Sequence, residues 1–278
     1  MKIKILGTAA CEGVPSVFCN CETCKQARLL KNKEIRTRSQ VLIDNRLLID
    51  YPADTYLHTL RYEIDMSAIK YMLFTHSHAD HFYGKEFALR GLCYATNMTE
   101  QKTSLYMSGD VYKAFLEQIQ ESMTEEVMSS YCVNFVKPYD VFQTEDYEIT
   151  VLPAEHSAPE SMLYLIKANG KTFFHCCDTG VLYDEVIEYL KSNNIRIDCI
   201  LMDCTMGKVR LGKGCGHMGY EDCVDLKNTL QKAGICDTNT KFLTTHFSHY
   251  GKMLHKDYEA LSKDSGVIPA YDGMEIEL

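Results

Sequence analysis

The stretch that most constrains what this chain can fold into spans residues 75–81 and reads THSHADH. It follows a short apolar run, 71–74, of the kind that forms a buried strand. Neutral imidazole and carboxylate are the ligands that divalent Zn, Mn and Fe prefer. Because a chain that turns tightly after a strand can direct several side chains into one pocket, the stretch predicts a metal site. Its candidate ligands are His76, His78, Asp80 and His81.

Three more ligand-type residues each come shortly after a strand-like apolar run, and these are His156, Asp178 and His246. Loops at the carboxyl ends of strands build the functional sites of layered α/β proteins. One such residue alone would be an ordinary turn or capping residue. Since several strand ends carry His or Asp in one chain, we predict that these residues complete the same site.

The motif HxHxDH, followed by a separated His, Asp and His, resembles the metallo-β-lactamase superfamily. That resemblance implies an α/β fold, a four-layer αββα sandwich of two mixed β-sheets flanked by helices, and a single hydrolase domain over residues 1–278. It also places Asp50, after the early strand 47–49, just outside the ligand shell, where such residues tune metal affinity or activity by about 10–100-fold. The implied ligands are His76, His78 and His156 for one ion, Asp80, His81 and His246 for a second, and Asp178 as the bridge.

The segment 19–24 holds three cysteines in the pattern C-x-C-x-x-C. This spacing is tight enough to surround one ion with thiolates, and a fourth ligand would complete a tetrahedral structural zinc site. Cys11 leaves the choice of that fourth ligand open, and a redox-active or simply buried set of cysteines is the alternative. The predicted ligands are Cys19, Cys21, Cys24 and His249.

The cysteine segment, the pair His246 and His249, and the ending Asp272-Gly273-Met274 narrow the resemblance. Together they resemble the phosphoribosyl 1,2-cyclic phosphate phosphodiesterases of bacterial phosphonate degradation and their relatives. That resemblance implies two divalent ions in the active site, Zn or Mn with Fe as a further option, and one structural Zn. The chain departs from the usual opening at Ala9-Ala10-Cys11, where glycines would be expected.

Two divalent ions about 3.5–4 Å apart can share a water and lower its pKa to roughly 7, which supplies hydroxide at neutral pH. We therefore predict a metal-dependent phosphodiesterase that hydrolyses a small, cyclic ribose phosphodiester by attack of the metal-bound hydroxide. The resemblance places a catalytic histidine at His217, which would be the general acid, and Asp203 could orient it. A helix-capping histidine beside an ordinary strand-end aspartate is the alternative. The predicted catalytic residues are His217, Asp203 and Asp80.

The predicted substrate contacts are basic residues of the glycine-rich loop before His217, namely Lys208, Arg210 and Lys213. They could bind a terminal phosphate of the substrate. The alternative is that these side chains are only solvated. Three histidines that belong to no ligand cluster are predicted to be structural, and these are His58, His175 and His255.

Other members of the superfamily share this metal core. A tRNA 3′-processing endonuclease would carry a long Gly/Pro-rich arm, and no segment resembles one. Thioester, lactone and β-lactam hydrolases stay open, but the cysteine segment and the pair Asp203 and His217 favour phosphoesters. Oxygen-reducing diiron relatives usually carry glutamate at the position of His78. A non-enzymatic, metal-storing protein would have little need for a proton donor.

The formal net charge of −9 counts against an extensive nucleic-acid surface, so we expect a small phosphorylated substrate. No apolar run reaches the length of a membrane span, and the N-terminus lacks the pattern of a signal peptide. Thirteen cysteines without a secretory signal favour a reducing compartment, and we therefore expect a cytoplasmic protein. The sequence leaves the oligomeric state open, a homodimer included.

Turn and periodicity signals predict two hairpins, 41–49 and 162–176, the second turning at Asn169-Gly170. The stretch 98–137 is predicted to be helical cover beside the site. Helical patterns cover 53–62, 83–95, 110–130, 181–193 and 218–233. Most other cysteines are predicted to be small buried hydrophobes, including Cys93, Cys132, Cys199 and Cys236.

Overall fold

The computed structural model describes residues 1–91, 94–122 and 124–278, and arranges them as two facing β-sheets with helices outside. In that part of the chain each sheet has seven strands, so the predicted αββα sandwich is confirmed. The strands are β1 (Lys2–Gly7), β2 (Gln40–Ile43), β3 (Leu47–Ile49), β4 (Tyr71–Leu73), β5 (Thr103–Met107), β6 (Tyr131–Phe135), β7 (Val141–Gln143), β8 (Glu148–Pro153), β9 (Met162–Ala168), β10 (Lys171–Cys176), β11 (Cys199–Asp203), β12 (Lys241–Thr245), β13 (Val267–Pro269) and β14 (Met274–Glu277). The helices are α1 (Glu22–Leu30), α2 (Thr55–Tyr62), α3 (Gly109–Ile119), α4 (Glu125–Ser129), α5 (Asp184–Ser192), α6 (Tyr220–Lys232) and α7 (His255–Ser265).

Each sheet is half parallel. The first has the order β14-β1-β2-β3-β4-β5-β6, and the second has the order β13-β12-β11-β10-β9-β8-β7. Strands β3 to β6 are parallel to one another, and so are β10 to β13. The carboxyl ends of these strands therefore lie along one edge of each sheet, and their loops collect there.

Neighbouring residues of the central strands face different layers of the sandwich. In β10, Phe173 packs between the sheets, whereas Phe174 belongs to the outer cluster with residues of α5 and α6. Leu243 and Phe242 of β12 divide in the same way. Side chains of a strand alternate between its faces, and burying such a side chain contributes about 1.5–3 kcal/mol. These strands are therefore stable only with cover on both faces.

Both predicted hairpins are confirmed. Strands β9 and β10 turn at Asn169 and Gly170, whose φ values are 52° and 72°. Positive φ at both central residues of a two-residue loop is the type I′ turn, whose twist matches that of antiparallel strands. The other hairpin turns at Asp44 and Asn45, which also have positive φ.

Three predicted helical patterns are confirmed as α2, α5 and α6. The pattern over 110–130 forms α3 and α4 instead of one helix, because two hydroxyl residues each cap a helix of their own. The side-chain oxygens of Ser108 and Thr124 accept the amide hydrogens of Val111 and Val127. An N-cap of this kind satisfies an amide of the first turn and so stabilises the start of a helix at that residue.

Two helical predictions are wrong. Within 83–95, Gly84–Arg90 is a 3₁₀ helix, because tertiary packing of Phe87 against its aromatic neighbours decides the geometry there; Leu92 and Cys93 lie outside the described residues. The stretch 98–137 is not only helical, since it also contains β5 and β6. Strand β5 alternates buried and half-buried residues, which is the pattern of a strand with only one face in the core.

The cysteine predictions hold for Cys199 and Cys236, which are buried, and are wrong for Cys132, which is exposed. Cys132 lies on β6, the edge strand of the first sheet, where one face meets solvent. Cys93 lies outside the described residues. In the part of the chain that the structure describes, no helix is both long enough and apolar enough to span a membrane.

His58 is a fully buried histidine on α2. Its Nδ1 lies 2.6 Å from Oε1 of Gln40, and its Nε2 lies 2.7 Å from Oγ1 of Thr37. Burial lowers the pKa of His58 to about 4. In the unfolded chain the same ring takes up a proton near pH 6.5.

This difference makes the stability of the fold depend on pH. Between about pH 6.5 and pH 4 the unfolded state binds more protons at His58, so the free energy of unfolding falls as the pH is lowered through that window. We predict that His58→Gln reduces this fall, although it lowers stability at both ends. The measurement is urea unfolding of metal-free protein at pH 7 and pH 5. An equal fall in both proteins would contradict the prediction.

Candidate dinuclear metal centre

The predicted ligands leave strand ends on one edge of the sandwich. Strand β8 is antiparallel to β9, which is antiparallel to β10, so β8 points in the same direction as β10 to β12. Strand β4 leads into the loop 75–81, β8 into His156, β10 into Asp178 and β12 into His246.

The first group of ligands comprises His76, His78, His156 and Asp178. One ligand atom of each lies within 4.8 Å of every other. Nε2 of His156 is 3.1 Å from Nδ1 of His78, and Nε2 of His76 is 3.1 Å from Oδ2 of Asp178. Three imidazoles and one carboxylate therefore surround a common point.

The second group comprises Asp80, His81, His246 and again Asp178. Nε2 of His81 lies 3.3 Å from Nε2 of His246, and Nε2 of His246 lies 3.5 Å from Oδ2 of Asp80. All four residues are buried. Asp178 is thus common to both groups, as the resemblance to the superfamily implies for a bridging ligand.

The donor set fits two divalent cations. Nε2 of His76 and Oδ1 of Asp178 are buried and have no hydrogen-bond partner. Buried polar atoms are nearly always satisfied, so two orphans at the centre of converging ligands indicate a missing partner of positive charge. Burial raises the pKa of Asp178, but His246 and the other surrounding histidines hold it well below its usual range. The carboxylate is therefore ready to bind a cation.

Asp50 contacts the ligand residue His81 but belongs to neither ligand group. Its Oδ2 lies 2.7 Å from Nδ1 of His81, which leaves Nε2 of that ring facing the second ligand group. The amide and hydroxyl of Thr75 both donate to the same carboxylate. Asp50 therefore lies behind the ring of His81 and outside both ligand groups.

Three residues of the site have left-handed backbone conformations. The φ values are 64° for Asp50, 56° for Asp178 and 59° for His246. Non-glycine residues rarely adopt this region, and each costs on the order of 1–3 kcal/mol unless its surroundings hold it. Left-handed residues at three separate strand ends turn these side chains inward.

His217 and Asp203 come together at the edge of the site. Nδ1 of His217 lies 3.1 Å from Oδ2 of Asp203 and 3.1 Å from Oδ1 of Asp178. Burial lowers the pKa of His217, but the nearby carboxylates of Asp178 and Asp203 raise it to about 10. Asp203 is fully buried and also lies 3.4 Å from Nδ1 of His246.

Thr205 is a further residue of the site, and no motif in the sequence identifies it. Its hydroxyl donates to Asp203 and lies 2.8 Å from Nδ1 of His246 and 3.3 Å from Nδ1 of His217. A side-chain hydroxyl two residues after the strand-end Asp203 is the only signal in the sequence, and it is common in turns. Thr205 thus links the aspartate to two histidines of the site.

The predicted cysteine cluster, Cys19, Cys21, Cys24 and His249, is assembled with ligand atoms within 4.8 Å of one another. Nδ1 of His249 lies 3.5 Å from Sγ of Cys19 and 3.5 Å from Sγ of Cys21. Burial raises the pKa of Cys21, yet hydrogen bonds from the Cys24 backbone and from His249 lower it to about 6. Cys11, the other candidate, lies outside this group and donates to Glu12.

The three basic residues of the glycine-rich loop are exposed. Arg210 forms an ion pair with Asp225 of α6, and Lys213 forms one with Asp184 at 2.6 Å. Among the described residues, no ion pair joins Lys208, Arg210 or Lys213 to the ligand groups. Their role in substrate binding stays a prediction.

The chain is similar in sequence to a known protein family and to characterised proteins. Residues 38–252 match the family model described as anti-Pycsar protein Apyc1. The chain is 26% identical over 284 residues to an octanoyltransferase of Porphyromonas gingivalis, with 99% of this chain and 51% of that protein covered. It is 24% identical over 322 residues to coenzyme PQQ synthesis protein B of Acinetobacter baumannii, with all of both chains covered. The chain spans about half the length of the first of these relatives.

Solved structures with the same fold extend over the whole chain. A diphosphatase from the PhnP family superposes with a TM-score of 0.74 at 21% identity, covering 100% of this chain and 97% of the other. Zn²⁺-bound PqqB from Methylobacterium extorquens gives 0.73 at 18% identity, with both chains fully covered. The metallo-β-lactamase fold protein YhfI from Bacillus subtilis gives 0.66 at 16% identity and 99% coverage of both. The sandwich is therefore the metallo-β-lactamase fold.

Asp50→Asn tests the role of the carboxylate behind His81. Asparagine tolerates the left-handed backbone, but it replaces a charged acceptor of the His81 N–H with an amide. We predict that the affinity of the centre for Zn²⁺ or Mn²⁺ falls by about 10–100-fold. The measurement is competition with a chelator of known affinity.

Asp44→Asn is the matched control, because Asp44 is also left-handed and lies at the opposite end of β3. Its affinity for metal should equal that of the unmodified protein. The same loss in both variants, or in neither, would contradict the assignment of Asp50.

Proposed function

The chain belongs to the family described as anti-Pycsar protein Apyc1, and from this premise we propose that it is a metal-dependent phosphoric diester hydrolase acting on a small, cyclic ribose phosphodiester. The observation that carries the proposal is that Asp178 belongs to both predicted ligand groups and also contacts His217. A pair of cation sites beside a proton donor suits phosphodiester hydrolysis, in which negative charge develops on both the attacking and the leaving oxygen.

The proposed cations are Zn²⁺ or Mn²⁺, held by the two ligand groups. When bound, they would activate water at neutral pH and neutralise the charge that develops on the phosphoryl oxygens. The role of Asp178 is to hold both positions at a fixed separation. Asp50 and Thr205 keep His81 and His246 in the ring orientations that direct Nε2 inward.

His217 is the proposed proton donor. Without bound cations, the carboxylates of Asp178 and Asp203 raise the pKa of His217 to about 10. Asp203 belongs to neither predicted ligand group, so it would still favour the protonated ring when cations are bound. Nδ1 faces Asp178 and Asp203, and the side chain is 29% exposed, so the rest of the ring remains accessible to a substrate. It would transfer its proton to the leaving alkoxide, while Asp203 holds the ring and stabilises its charge.

The charges near the site favour a small substrate with few phosphates. Arg210 and Lys213 already face carboxylates, which leaves Lys208 as the base of that loop best able to meet a phosphate. Exposed ion pairs contribute only about 0–1 kcal/mol, so a substrate phosphate could replace the carboxylate partner of Arg210 or Lys213 at little cost. A diester that carries one negative charge needs no larger basic surface.

Further support comes from proteins of the same fold, whose activities are their own. One structural neighbour is described as a diphosphatase, which fits hydrolysis at phosphorus. We also propose that the cysteine cluster holds a structural Zn²⁺. We further propose that the protein functions in the reducing cytoplasm, where its many cysteines would stay free. The octanoyltransferase relative is about twice as long as this chain, and we transfer no activity from it.

The proposal is tested with protein reconstituted with Mn²⁺ or Zn²⁺ and two chromogenic substrates. We expect turnover of bis(p-nitrophenyl) phosphate and little turnover of p-nitrophenyl phosphate, after which ribose cyclic phosphates follow. If the metal-loaded protein hydrolysed neither substrate, the proposal would be contradicted, and thioesters or lactones would become the favoured substrates.

His217→Ala is predicted to lower the turnover number for the diester by about 10²–10⁴-fold, because the leaving group loses its proton donor. Metal content per chain should not change. Cys215→Ala on the same loop is the control and should retain full turnover, since Cys215 is exposed and bonds only to its own loop. Loss of metal from His217→Ala would show that the ring is a ligand and would remove it as the acid.

A further inference from the structure

We propose that Glu12 is a positioning residue that couples the cysteine cluster to the dinuclear centre. It orients His249 toward the three thiols, and through Ser248 it holds the segment that carries His246. The inference rests on the proposed function, because both sites must take up metal ions for the coupling to operate.

The first contact is between Glu12 and His249. Nδ1 of His249 faces the sulfurs of Cys19 and Cys21 at 3.5 Å. Its other nitrogen, Nε2, lies 3.7 Å from Oε1 of Glu12. When Nδ1 binds a metal ion, the ring proton resides on Nε2 and points toward this carboxylate. A carboxylate behind a ligand histidine fixes the ring and makes it a stronger donor to the metal.

The second contact joins the same oxygen to the neighbouring residue. The Ser248 hydroxyl donates to Oε1 of Glu12 and accepts the amide hydrogen of Tyr250. Ser248 is buried, with 5% of its surface exposed. One carboxylate oxygen therefore faces both the ring of His249 and the backbone turn that leads to it.

The third step leads to His246, two residues earlier. Its φ of 59° is left-handed and needs support from the surrounding structure. The Phe247 amide donates to the carbonyl oxygen of Thr8, and the Ala10 amide donates to the carbonyl oxygen of Phe247. The segment 246–249 is thus bound to the N-terminal loop at Phe247 and, through Glu12, at Ser248.

These contacts give Glu12 a position that no other carboxylate of the described chain is seen to share. Its second oxygen accepts a hydrogen bond from Cys11. Glu22 is closer in sequence to the cysteines, yet it is exposed and bonds to Gln26 one turn along α1. Glu22 is therefore a matched control, because it is a glutamate near the cluster that is not seen to contact His249.

The experiment follows metal release from protein loaded with Co²⁺ at both sites. Thiolate-to-cobalt absorption reports the cysteine cluster alone, and total metal per chain by elemental analysis adds the dinuclear centre. We expect Glu12→Gln to accelerate chelator-driven release from the cluster by about 10–100-fold and to accelerate release from the centre as well. Glu22→Gln should match the unmodified protein, and Cys21→Ser should show the effect of losing one thiolate.

Ser248→Ala tests the coupling to the dinuclear centre separately from the orientation of His249. It also provides a test of the coupling if Glu12→Gln does not fold. It should weaken retention at the dinuclear centre, because the support of His246 is lost, while the thiolate-to-cobalt absorption persists. If Glu12→Gln releases cobalt from the cluster as slowly as Glu22→Gln, the orienting role is wrong. If Ser248→Ala, or a folded Glu12→Gln, releases metal from the centre at the unmodified rate, the coupling is wrong.

These readouts do not depend on catalysis. An unmodified protein that shows no thiolate-to-cobalt absorption would overturn the inference, whatever its activity. An unmodified protein that holds metal at both sites but cleaves no diester would contradict only the proposed function.

Discussion

The buried carboxylate of Asp178 is the group on which the site depends. It is 3% exposed, and an isolated charge in such a place would be strongly destabilising. Its stability comes from histidines carried on four other loops, so the fold must bring several strand ends to one point. The contacts of its two oxygens are with His76 at 3.1 Å, His81 at 3.3 Å, His156 at 3.4 Å, His246 at 3.8 Å and His217 at 3.1 Å.

The convergence of these loops requires unfavourable backbone conformations, which the neighbouring strands stabilise. Asp50, Asp178 and His246 are left-handed, and each follows a central strand whose side chains are buried on both faces. The amide of Asp50 donates to the carbonyl oxygen of Leu73, and that of Tyr51 donates to the carbonyl oxygen of His81. These backbone hydrogen bonds join the segment that carries Asp50 to the loop that carries His81.

The two candidate metal sites are linked by one short segment. His246 belongs to the candidate dinuclear centre and His249 to the cysteine cluster, so the chain between them contributes to both. The family match begins at residue 38, after the cysteine segment, and includes both histidines. The candidate centre thus lies inside the matched region, whereas the thiols that His249 faces come from the part of the chain before it.

Local patterns in the sequence were sufficient for much of the fold and of the site. The hairpin turn at Asn169 and Gly170 depends on two residues and was predicted correctly. The segment over 98–137 was not, because the pairing of β5 with β4 and β6 involves residues far apart in the chain. Thr205 and Glu12 cannot be identified from the sequence for the same reason. The contact of Thr205 with His246, and those of Glu12 with Ser248 and His249, join residues far apart in the chain.

The kinds of ligand and the strand ends that carry them can be predicted from residue type and from the apolar runs beside each residue. Which of these residues meet depends on how the two sheets pack. The tertiary structure placed Asp178 in both ligand groups, His249 and not Cys11 beside the thiols, and Arg210 and Lys213 against carboxylates. These outcomes depend on distances between residues remote in sequence, and only the packing of the two sheets sets such distances.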